Sequence, residues 1–559
     1  MNNKKNIILE EYENEFSYKK SKTNLDIQFN RIAFIFFVFL MISLIYSIQL
    51  LHLGSLKSDV KTNYAPSIKD YRADIIDRNG NYLVKTVSSI DIGISPIEVI
   101  DKQKLLINLK WIFPYKDYAE VEKKLNKNKF FNFEKKISSA NYQKMMSLGD
   151  KSIRPEEHLT RIYPQKNLFS HIIGQIDDDN RGISGLEKSF NERLKQTSEP
   201  LKLTVDTDIQ FLIREELVKF QSIFRSKGST AILMNVNNGE IISMVSYPDF
   251  DLNKREKIVD LNFINRATKG VYELGSVFKI FTVAAGLEEG LIDIDTKFLD
   301  LPKTIYCAGK PIREYNNKIP SDLTVEQILI RSGNIGSVRI GQKLEILKLK
   351  AFLEKIGILN KINFDIEEVG EPIPFKWGKC KLATVSFGHG ITTTPLQLAK
   401  AYAIISNGGF EVEPSLIKKE LKDPQKKRRI IKEGISKKIN LILRKIVATR
   451  EGTAGLVNIK GYEVGGKTGT AEKSIAGGYT RKAKVNTFAG VFPASNPKYV
   501  LIVLLDEPKT SSDYVYEYKN KKGSYKGTPY NTAGWTSVEV AGKIIEKIGP
   551  ILATKHMEN

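Results

Sequence analysis

The chain has 559 residues, with 86 lysines and arginines against 64 aspartates and glutamates, and a formal net charge of +22. This length allows more than one domain. A basic excess is also found in nucleic-acid-binding proteins, but here the lysines are scattered and no zinc-finger, helix-turn-helix or RNA-binding signature accompanies them. We therefore expect a solvated surface attracted to anionic lipid or wall polymer, and no nucleic acid partner.

The first long apolar segment is residues 32–51, which is interrupted only by Ser43, Tyr46, Ser47 and Gln49. About 20 apolar residues span a bilayer as a helix, whereas a cleaved signal peptide has a shorter apolar core and a small-residue cleavage site. Basic residues at positions 19, 20, 22 and 31 precede the segment and favour an inside N-terminus. We predict a cytoplasmic tail at 1–31, an uncleaved membrane anchor at 32–53, and the rest of the chain outside.

Residues 54–220 contain short predicted strands, such as 82–87, and lysine-rich segments, of which 121–125 is predicted to belong to a solvated helix. They contain no recognisable catalytic constellation, so we predict a non-catalytic pedestal that serves spacing and interaction. Beyond a boundary near 225–228, residues 231–236 and 241–246 are predicted strands joined by Asn237-Asn238-Gly239, a strong hairpin signal. Further strands at 485–492 and 499–505, with a terminal helix at 537–548, predict an α+β domain with an antiparallel sheet over residues 221–559.

The first motif that carries chemistry is Ser276-Val277-Phe278-Lys279, at the start of a helix predicted to run to Gly290. Residues three apart lie on one helix face, so Lys279 is within reach of the Ser276 hydroxyl. A serine hydroxyl becomes a nucleophile when a base removes its proton, and lysine is such a base only when burial or nearby cations lower its pKa. The alternative is a helix-capping serine with a solvent-facing lysine.

The second and third motifs follow in order, Ser332-Gly333-Asn334 and then Lys467-Thr468-Gly469-Thr470. Ser332 is a candidate proton relay between Lys279 and a leaving amine, and Asn334 is a candidate anchor for a substrate amide. Lys467 adds positive charge, the Thr468 and Thr470 hydroxyls are suited to a carboxylate, and Gly469 lets a strand lie close to substrate. The backbone amides of Ser276 and Thr470 are the candidate oxyanion hole. Ordinary turn chemistry and a structural edge strand are the alternatives.

A phosphate-binding loop is a competing interpretation of the third motif, because residues 461–468 satisfy the Gly-x-x-x-x-Gly-Lys-Thr pattern. Glu463 places an acidic side chain inside that supposed phosphate loop, and no long apolar-periodic helix follows it. Neither Cys307 nor Cys380 has metal-ligand spacing, so we expect no metal and no cofactor. The two cysteines are a candidate disulfide, and His389 stands near the presumed cleft as either a turn residue or a catalytic contact.

Taken together, these motifs resemble the class B penicillin-binding proteins, which are peptidoglycan D,D-transpeptidases. In the N-terminal half the resemblance rests on residues 72–80 (with Ala73 where glycine is common), 161–164, 185–187 and 204–206. In the C-terminal half it rests on residues 272–279, 388–397 and 467–470, while residues 532–535 resemble the septal branch more than the elongation branch.

The resemblance implies a penicillin-binding, serine-β-lactamase-like domain on an elongated pedestal, held in the inner membrane with its catalytic part in the periplasm. It also implies an acyl-enzyme on Ser276 formed from a stem peptide ending in D-Ala-D-Ala, inhibition by β-lactams, and a membrane glycan polymerase among its division partners. Three alternatives stay open: a penicillin-hydrolysing β-lactamase, a membrane scaffold for division proteins, and the sister transpeptidase of side-wall elongation.

Overall fold

The computed structural model describes residues 24–55, 71–254, 263–419, 428–475, 478–517 and 523–555. Most of the predicted tail (1–23) and the first part of the predicted pedestal (56–70) lie outside these ranges. The internal contacts divide the chain into two units, Met1–Ile68 and Lys69–Asn559.

The described part of the first unit is a single helix, α1 (Asn24–Ser55). Its segment Arg31–Leu51 is long and apolar enough to cross a membrane, and in the described residues it is the one helix with that property. The apolar side chains from Ile32 to Leu51 are exposed, as the surface of a membrane-spanning helix requires. The predicted span at 32–53 falls within this helix.

The second unit begins with a five-stranded sheet in the predicted pedestal. Its strands are β1 (Ile75–Ile76), β2 (Tyr82–Ile94), β3 (Phe131–Ile137), β4 (Ile153–Ile162) and β5 (Leu201–Lys202). Strand β2 pairs antiparallel with β1, β3 and β4, while β1 pairs parallel with β5. The predicted strand 82–87 is therefore the first half of a longer central strand.

Short helices accompany this sheet: α2 (Lys102–Ile112), α3 (Tyr118–Leu125), α4 (Ser139–Ser147), α5 (Ser170–Ile173), α6 (Gly185–Ser189) and α7 (Asn191–Gln196). Helix α3 is capped by Asp117, whose carboxylate accepts from the amides of Ala119 and Glu120. Val121 and Leu125, one turn apart, are both buried in it. The segment predicted as solvated therefore has a buried face as well.

A buried ion cluster holds two distant parts of the pedestal together. Glu187, at the end of the chain segment 185–187, accepts from Arg72 Nε at 2.5 Å and from Arg161 Nε at 2.8 Å. All three side chains are buried. A buried carboxylate is stabilised only by such direct pairing, because its desolvation is costly. Two of the motifs that resemble the family, 161–164 and 185–187, thus act as structural partners of Arg72.

The C-terminal part contains the antiparallel sheet that the sequence predicts. Its strands are β6 (Gly228–Asn235), β7 (Ile241–Tyr247), β12 (Gly465–Ile475), β13 (Gly478–Phe492) and β14 (Tyr499–Asp506), in the order β12-β13-β14-β6-β7. The turn between β6 and β7 contains Gly239 with φ +77°, which confirms the predicted hairpin. Every residue of β14 is buried, so both faces of the sheet are covered.

The helices of this domain are α8 (Thr207–Phe224), α9 (Lys279–Glu288), α10 (Val325–Ile330), α11 (Asn334–Lys355), α12 (Lys379–Val385), α13 (Pro395–Ser406), α14 (Glu433–Ala448) and α15 (Ser537–Lys555). Helices α8, α13, α14 and α15 pack against the sheet, and other helices of the domain lie beside them. Helix α8 is capped by Asp206 and buries Ile209, Ile213 and Leu217 on one face. It packs against β7 and α15, although it precedes the predicted boundary near 225–228. Smaller strands complete the domain: β8 (Lys297–Phe298), β9 (Thr304–Cys307), β10 (Lys310–Arg313), β11 (Leu323–Thr324), β15 (Val515–Glu517) and β16 (Ser524–Lys526).

Candidate active site

Ser276 lies in a tight turn between a buried loop and helix α9. Gly275–Phe278 form a 3₁₀ turn, and the α-helix begins at Lys279 rather than at Ser276 as predicted. Gly275 has φ +65°, and a Cβ on it would approach the carbonyl oxygen of Thr470 to 2.8 Å. The tighter turn arises because the chain must pass close to strand β12 at this point. It brings together the two segments that carry the candidate oxyanion amides.

Lys279 is completely buried and directs its amino group at the second motif. Its Nζ donates to the carbonyl oxygen of Ser332 at 2.6 Å, to Ser332 Oγ at 3.2 Å and to Asn334 Oδ1 at 2.7 Å. Burial lowers the pKa of Lys279 to about 7, against an opposing effect of Glu314. At neutral pH a substantial fraction of this lysine is therefore an uncharged amine, which is the form that a general base requires.

Lys279 donates to Ser332 and Asn334, and among the described residues it makes no hydrogen bond to Ser276. An ammonium group has three donors, and all three donors of Lys279 have acceptors in the turn 332–334. Hydrogen bonds of catalytic groups often become short only when substrate is bound. In the neutral amine one of these donors is replaced by a lone pair, which is then able to accept the Ser276 proton.

Ser332 bridges the two buried lysines. Its Oγ accepts from Lys467 Nζ at 2.9 Å as well as from Lys279. Lys467 is fully buried, and burial together with the neighbouring charge of Lys279 holds its pKa well below the usual lysine value. Ser332 also has φ +57°, a left-handed conformation that costs a non-glycine residue roughly 1–3 kcal/mol and is common at functional sites. The structure thus connects the first and third motifs through the second.

Strand β12 forms the edge of the catalytic sheet and carries the third motif. A Cβ on Gly469 would lie 2.1 Å from the carbonyl oxygen of Leu274, so glycine is needed for contact with the catalytic turn rather than with substrate alone. The Thr468 hydroxyl hydrogen-bonds the Thr453 hydroxyl at 2.7 Å. Thr470 Oγ1 accepts from the amide of Ala533 at 2.9 Å, which leaves its own hydrogen to donate to a ligand.

Asn334 is held by protein groups on both sides of its amide. Its Oδ1 accepts from Lys279, and its Nδ2 donates to the carbonyl oxygen of Arg313 at 2.8 Å. The adjacent Glu314 accepts from the backbone amides of Asn334 at 2.7 Å and Ile335 at 2.9 Å. No motif in the sequence pointed to Glu314, whose local signal is a carboxylate directly after the β9–β10 hairpin.

A second group of side chains lies next to the catalytic turn. Glu273, three residues before Ser276, accepts from the Tyr479 hydroxyl at 2.8 Å and from the amide of Gly390 at 2.9 Å. The ring of His389 lies 4.4 Å from the ring of Tyr479, and burial lowers the pKa of His389. His389 therefore occupies a structural turn that is pinned to the segment carrying the nucleophile.

Cys307 and Cys380 form a disulfide, with their Cα atoms 5.5 Å apart. The bond links the β9–β10 hairpin to the start of helix α12. Within the described ranges, no group of three or more His, Cys, Asp or Glu residues could hold a metal ion. The polar side chains that the structure gathers beside the catalytic turn are those of Lys279, Ser332, Asn334 and Lys467.

Two family models match most of the chain. The model of the penicillin binding protein transpeptidase domain matches residues 229–526, and the model of the penicillin-binding protein dimerisation domain matches residues 67–221. The first includes all eight predicted site residues.

Curated relatives and a solved structure agree with these matches. The chain is 30% identical over 505 residues to the probable peptidoglycan D,D-transpeptidase FtsI of Caulobacter vibrioides, covering 88% of this chain and 83% of the relative. It is 30% identical over 484 residues to stage V sporulation protein D of Bacillus subtilis, covering 78% of this chain and 74% of the relative. It is 26% identical over 497 residues to the peptidoglycan D,D-transpeptidase FtsI of Escherichia coli, covering 82% of this chain and 83% of the relative. The fold is similar to that of a peptidoglycan synthetase from Bifidobacterium adolescentis, with a TM-score of 0.65, 22% identity, and coverage of 87% and 96%.

Proposed function

Because the chain belongs to the class B penicillin-binding proteins, we propose that it is a membrane-anchored serine D,D-transpeptidase that crosslinks peptidoglycan stem peptides through an acyl-enzyme on Ser276. The observation that carries the proposal is the convergence of two buried lysines, Lys279 and Lys467, on the Ser332 hydroxyl beside the Ser276 turn. A phosphate-binding loop at 461–468 is incompatible with this geometry, since residues 465–475 form strand β12 and not a loop followed by a helix.

In the proposed first step, neutral Lys279 accepts the proton of Ser276 as Oγ attacks the carbonyl carbon of the penultimate D-Ala. The developing oxyanion is stabilised by the backbone amides of Ser276 and Thr470. The C–N bond to the terminal D-Ala then breaks, and the leaving amine takes a proton delivered through Ser332. Its position between the two lysines suits Ser332 to this transfer, because it accepts from both of them.

In the proposed second step, an amine of a neighbouring stem peptide attacks the ester on Ser276. The C–N bond of the crosslink forms and the C–O bond to Ser276 breaks. Lys279 is neutral again at this stage, because its proton went to the leaving amine through Ser332, so it takes a proton from the attacking amine and passes it to the serine oxygen. Hydrolysis would follow the same path with water as the nucleophile. Selectivity for the amine over water therefore has to come from the binding of the second peptide, which distinguishes a transpeptidase from a β-lactamase.

A hydroxyl donor on strand β12 supports a substrate with a terminal carboxylate. Thr470 Oγ1 accepts from the amide of Ala533, so its own hydrogen is left for a ligand. A D-Ala-D-Ala terminus has a carboxylate one residue beyond the scissile carbonyl, and hydroxyl groups donate readily to carboxylates. A β-lactam with its own carboxylate fits the same chemistry as an inhibitor.

We place the activity at the division septum, with the catalytic domain outside the cytoplasmic membrane. The septal assignment is supported by residues 532–535 and by two relatives named FtsI. The orientation of the membrane span is supported by the basic residues that precede it. A membrane glycan polymerase and other division proteins are the partners that this role requires. Depletion of the protein should give filamentous cells, whereas rounded cells would indicate side-wall elongation instead.

The test of the acyl-enzyme is intact-mass analysis of the detergent-solubilised protein after incubation with a penicillin. We expect one stable adduct that maps to Ser276 and is lost in Ser276→Ala. Ser495→Ala is the matched control, because Ser495 also begins a Ser-x-x-Lys sequence but is exposed. Labelling that persists in Ser276→Ala would refute the assignment, and rapid release of the adduct would favour a β-lactamase.

A further inference from the structure

The helix that follows the second motif lacks a capping side chain of its own. Helix α11 begins at Asn334, and its N-cap residue is Gly333, which has no side chain. The first amides of a helix have no intrahelical partner, and a nearby carboxylate satisfies them while it also complements the positive end of the helix dipole. Here that carboxylate comes from outside the helix. Both oxygens of Glu314 are used, one for the amide of Asn334 and one for the amide of Ile335.

The residues on either side of Glu314 bind the same turn. The carbonyl oxygen of Arg313 accepts from Asn334 Nδ2 at 2.8 Å, and the Tyr315 hydroxyl donates to the carbonyl oxygen of Arg331 at 3.1 Å. Three consecutive residues thus contact the segment from Arg331 to Ile335 at four backbone or side-chain groups. This segment contains Ser332, whose left-handed conformation persists only when its surroundings hold it.

The turn that Glu314 holds is also the turn that receives Lys279. Lys279 donates three hydrogen bonds, and every acceptor belongs to Ser332 or Asn334. A shift of this turn by about 1 Å would move the relay hydroxyl and the amide anchor together, and misplacement on that scale costs up to about 100-fold in rate. Glu314 is moreover the acidic group whose charge raises the pKa of Lys279, and Lys467, whose own pKa is lowered, donates to the same Ser332 hydroxyl.

We propose that Glu314 is a positioning residue of the active site, which caps helix α11 and thereby holds Ser332 and Asn334 against Lys279. The inference rests on the proposed function, because it concerns the same acylation step. It assigns to Glu314 two separable effects. The hydrogen bonds fix the geometry of the turn, and the negative charge favours the protonated form of Lys279 and so opposes its action as a base at low pH.

The two effects are separated by two variants of the full chain, Glu314→Gln and Glu314→Ala. The measurement is the second-order rate constant of acylation by a penicillin as a function of pH, with thermal unfolding recorded for each variant. Glu314→Gln removes the charge but keeps one acceptor, so the midpoint of the pH profile should move to lower pH. Glu314→Ala removes both acceptors, and its maximal rate should fall about 10- to 100-fold.

The matched control is Glu326→Gln, which removes a half-buried carboxylate of the same region that pairs with Lys445 at 2.6 Å and does not contact the turn. It should leave the maximal rate and the pH midpoint unchanged. Glu314 variants with the wild-type rate and the wild-type midpoint would overturn the inference. If Glu314→Ala fails to fold, Glu314→Gln decides alone, and an unshifted midpoint in that variant counts against the proposal. Absence of acylation in the wild-type protein would instead refute the proposed function.

Discussion

The pKa of Lys279 gives a quantitative prediction for the pH dependence of acylation. With a pKa of about 7, the neutral fraction of this lysine is about 0.1 at pH 6, one half at pH 7 and about 0.9 at pH 8. Since the neutral amine is the base, the acylation rate constant should rise about tenfold between pH 6 and pH 8 and then level off. A lysine with an ordinary pKa near 10.4 would instead give a rate that continues to rise about tenfold per pH unit through pH 9.

The assay is quenched-flow acylation by a penicillin between pH 5.5 and 9.5 at constant ionic strength, with adducts counted by intact mass. Lys279→Arg is the control, because a guanidinium keeps its proton throughout this range and should give no measurable acylation. A rate constant that rises with unit slope up to pH 9 would refute the argument that burial sets the pKa of the base. Acylation of Lys279→Arg at the wild-type rate would refute the role of the lysine itself.

Two further predictions concern groups outside the three motifs. Glu187→Ala leaves the guanidinium groups of Arg72 and Arg161 buried without a counter-charge. The free energy of unfolding measured with denaturant should therefore fall by about 3–5 kcal/mol. A loss below about 1 kcal/mol would contradict this. In Gly388→Ala the new Cβ would lie 2.0 Å from the Gly275 carbonyl oxygen, so acylation should slow at least tenfold. The control is Gly290→Ala, because Gly290 also has a positive φ (+67°) but a Cβ there would have no atom within 4 Å. This control should keep the wild-type rate of acylation. Equal rates in both glycine variants would show that the catalytic turn does not depend on this contact.

Several helices, strands and turns could be predicted because their signals lie within a few neighbouring residues. The turn at 237–239, the strands β6 and β7 on either side of it, and the terminal helix all follow from residues within a few positions of one another. The ends of these elements were less accurate. Strand β13 begins at Gly478 rather than at 485, since its first residues are polar and are paired only because β12 extends alongside them.

The order of the three motifs predicted that Lys279, Ser332, Asn334 and Lys467 lie together, and the structure brings their side chains into contact. Their catalytic and binding roles stay predictions. No local pattern relates Glu314 to the amide of Asn334, because a carboxylate that caps a helix from 20 positions away requires the tertiary fold. The same holds for the pairing of Cys307 with Cys380, which sequence spacing left open.

The disulfide between Cys307 and Cys380 indicates the redox state of the compartment in which the chain folds. Cys307 and Cys380 are separated by 73 positions, and their bond fastens the hairpin that is followed directly by Glu314. Disulfides form and persist in oxidising compartments and are rare in the reducing cytosol. On the proposed topology, a newly made chain would carry two thiols until its export, and only then would the hairpin that precedes Glu314 be covalently linked to helix α12. Maturation of the enzyme would thus be linked to arrival on the side of the membrane where the cell wall is built.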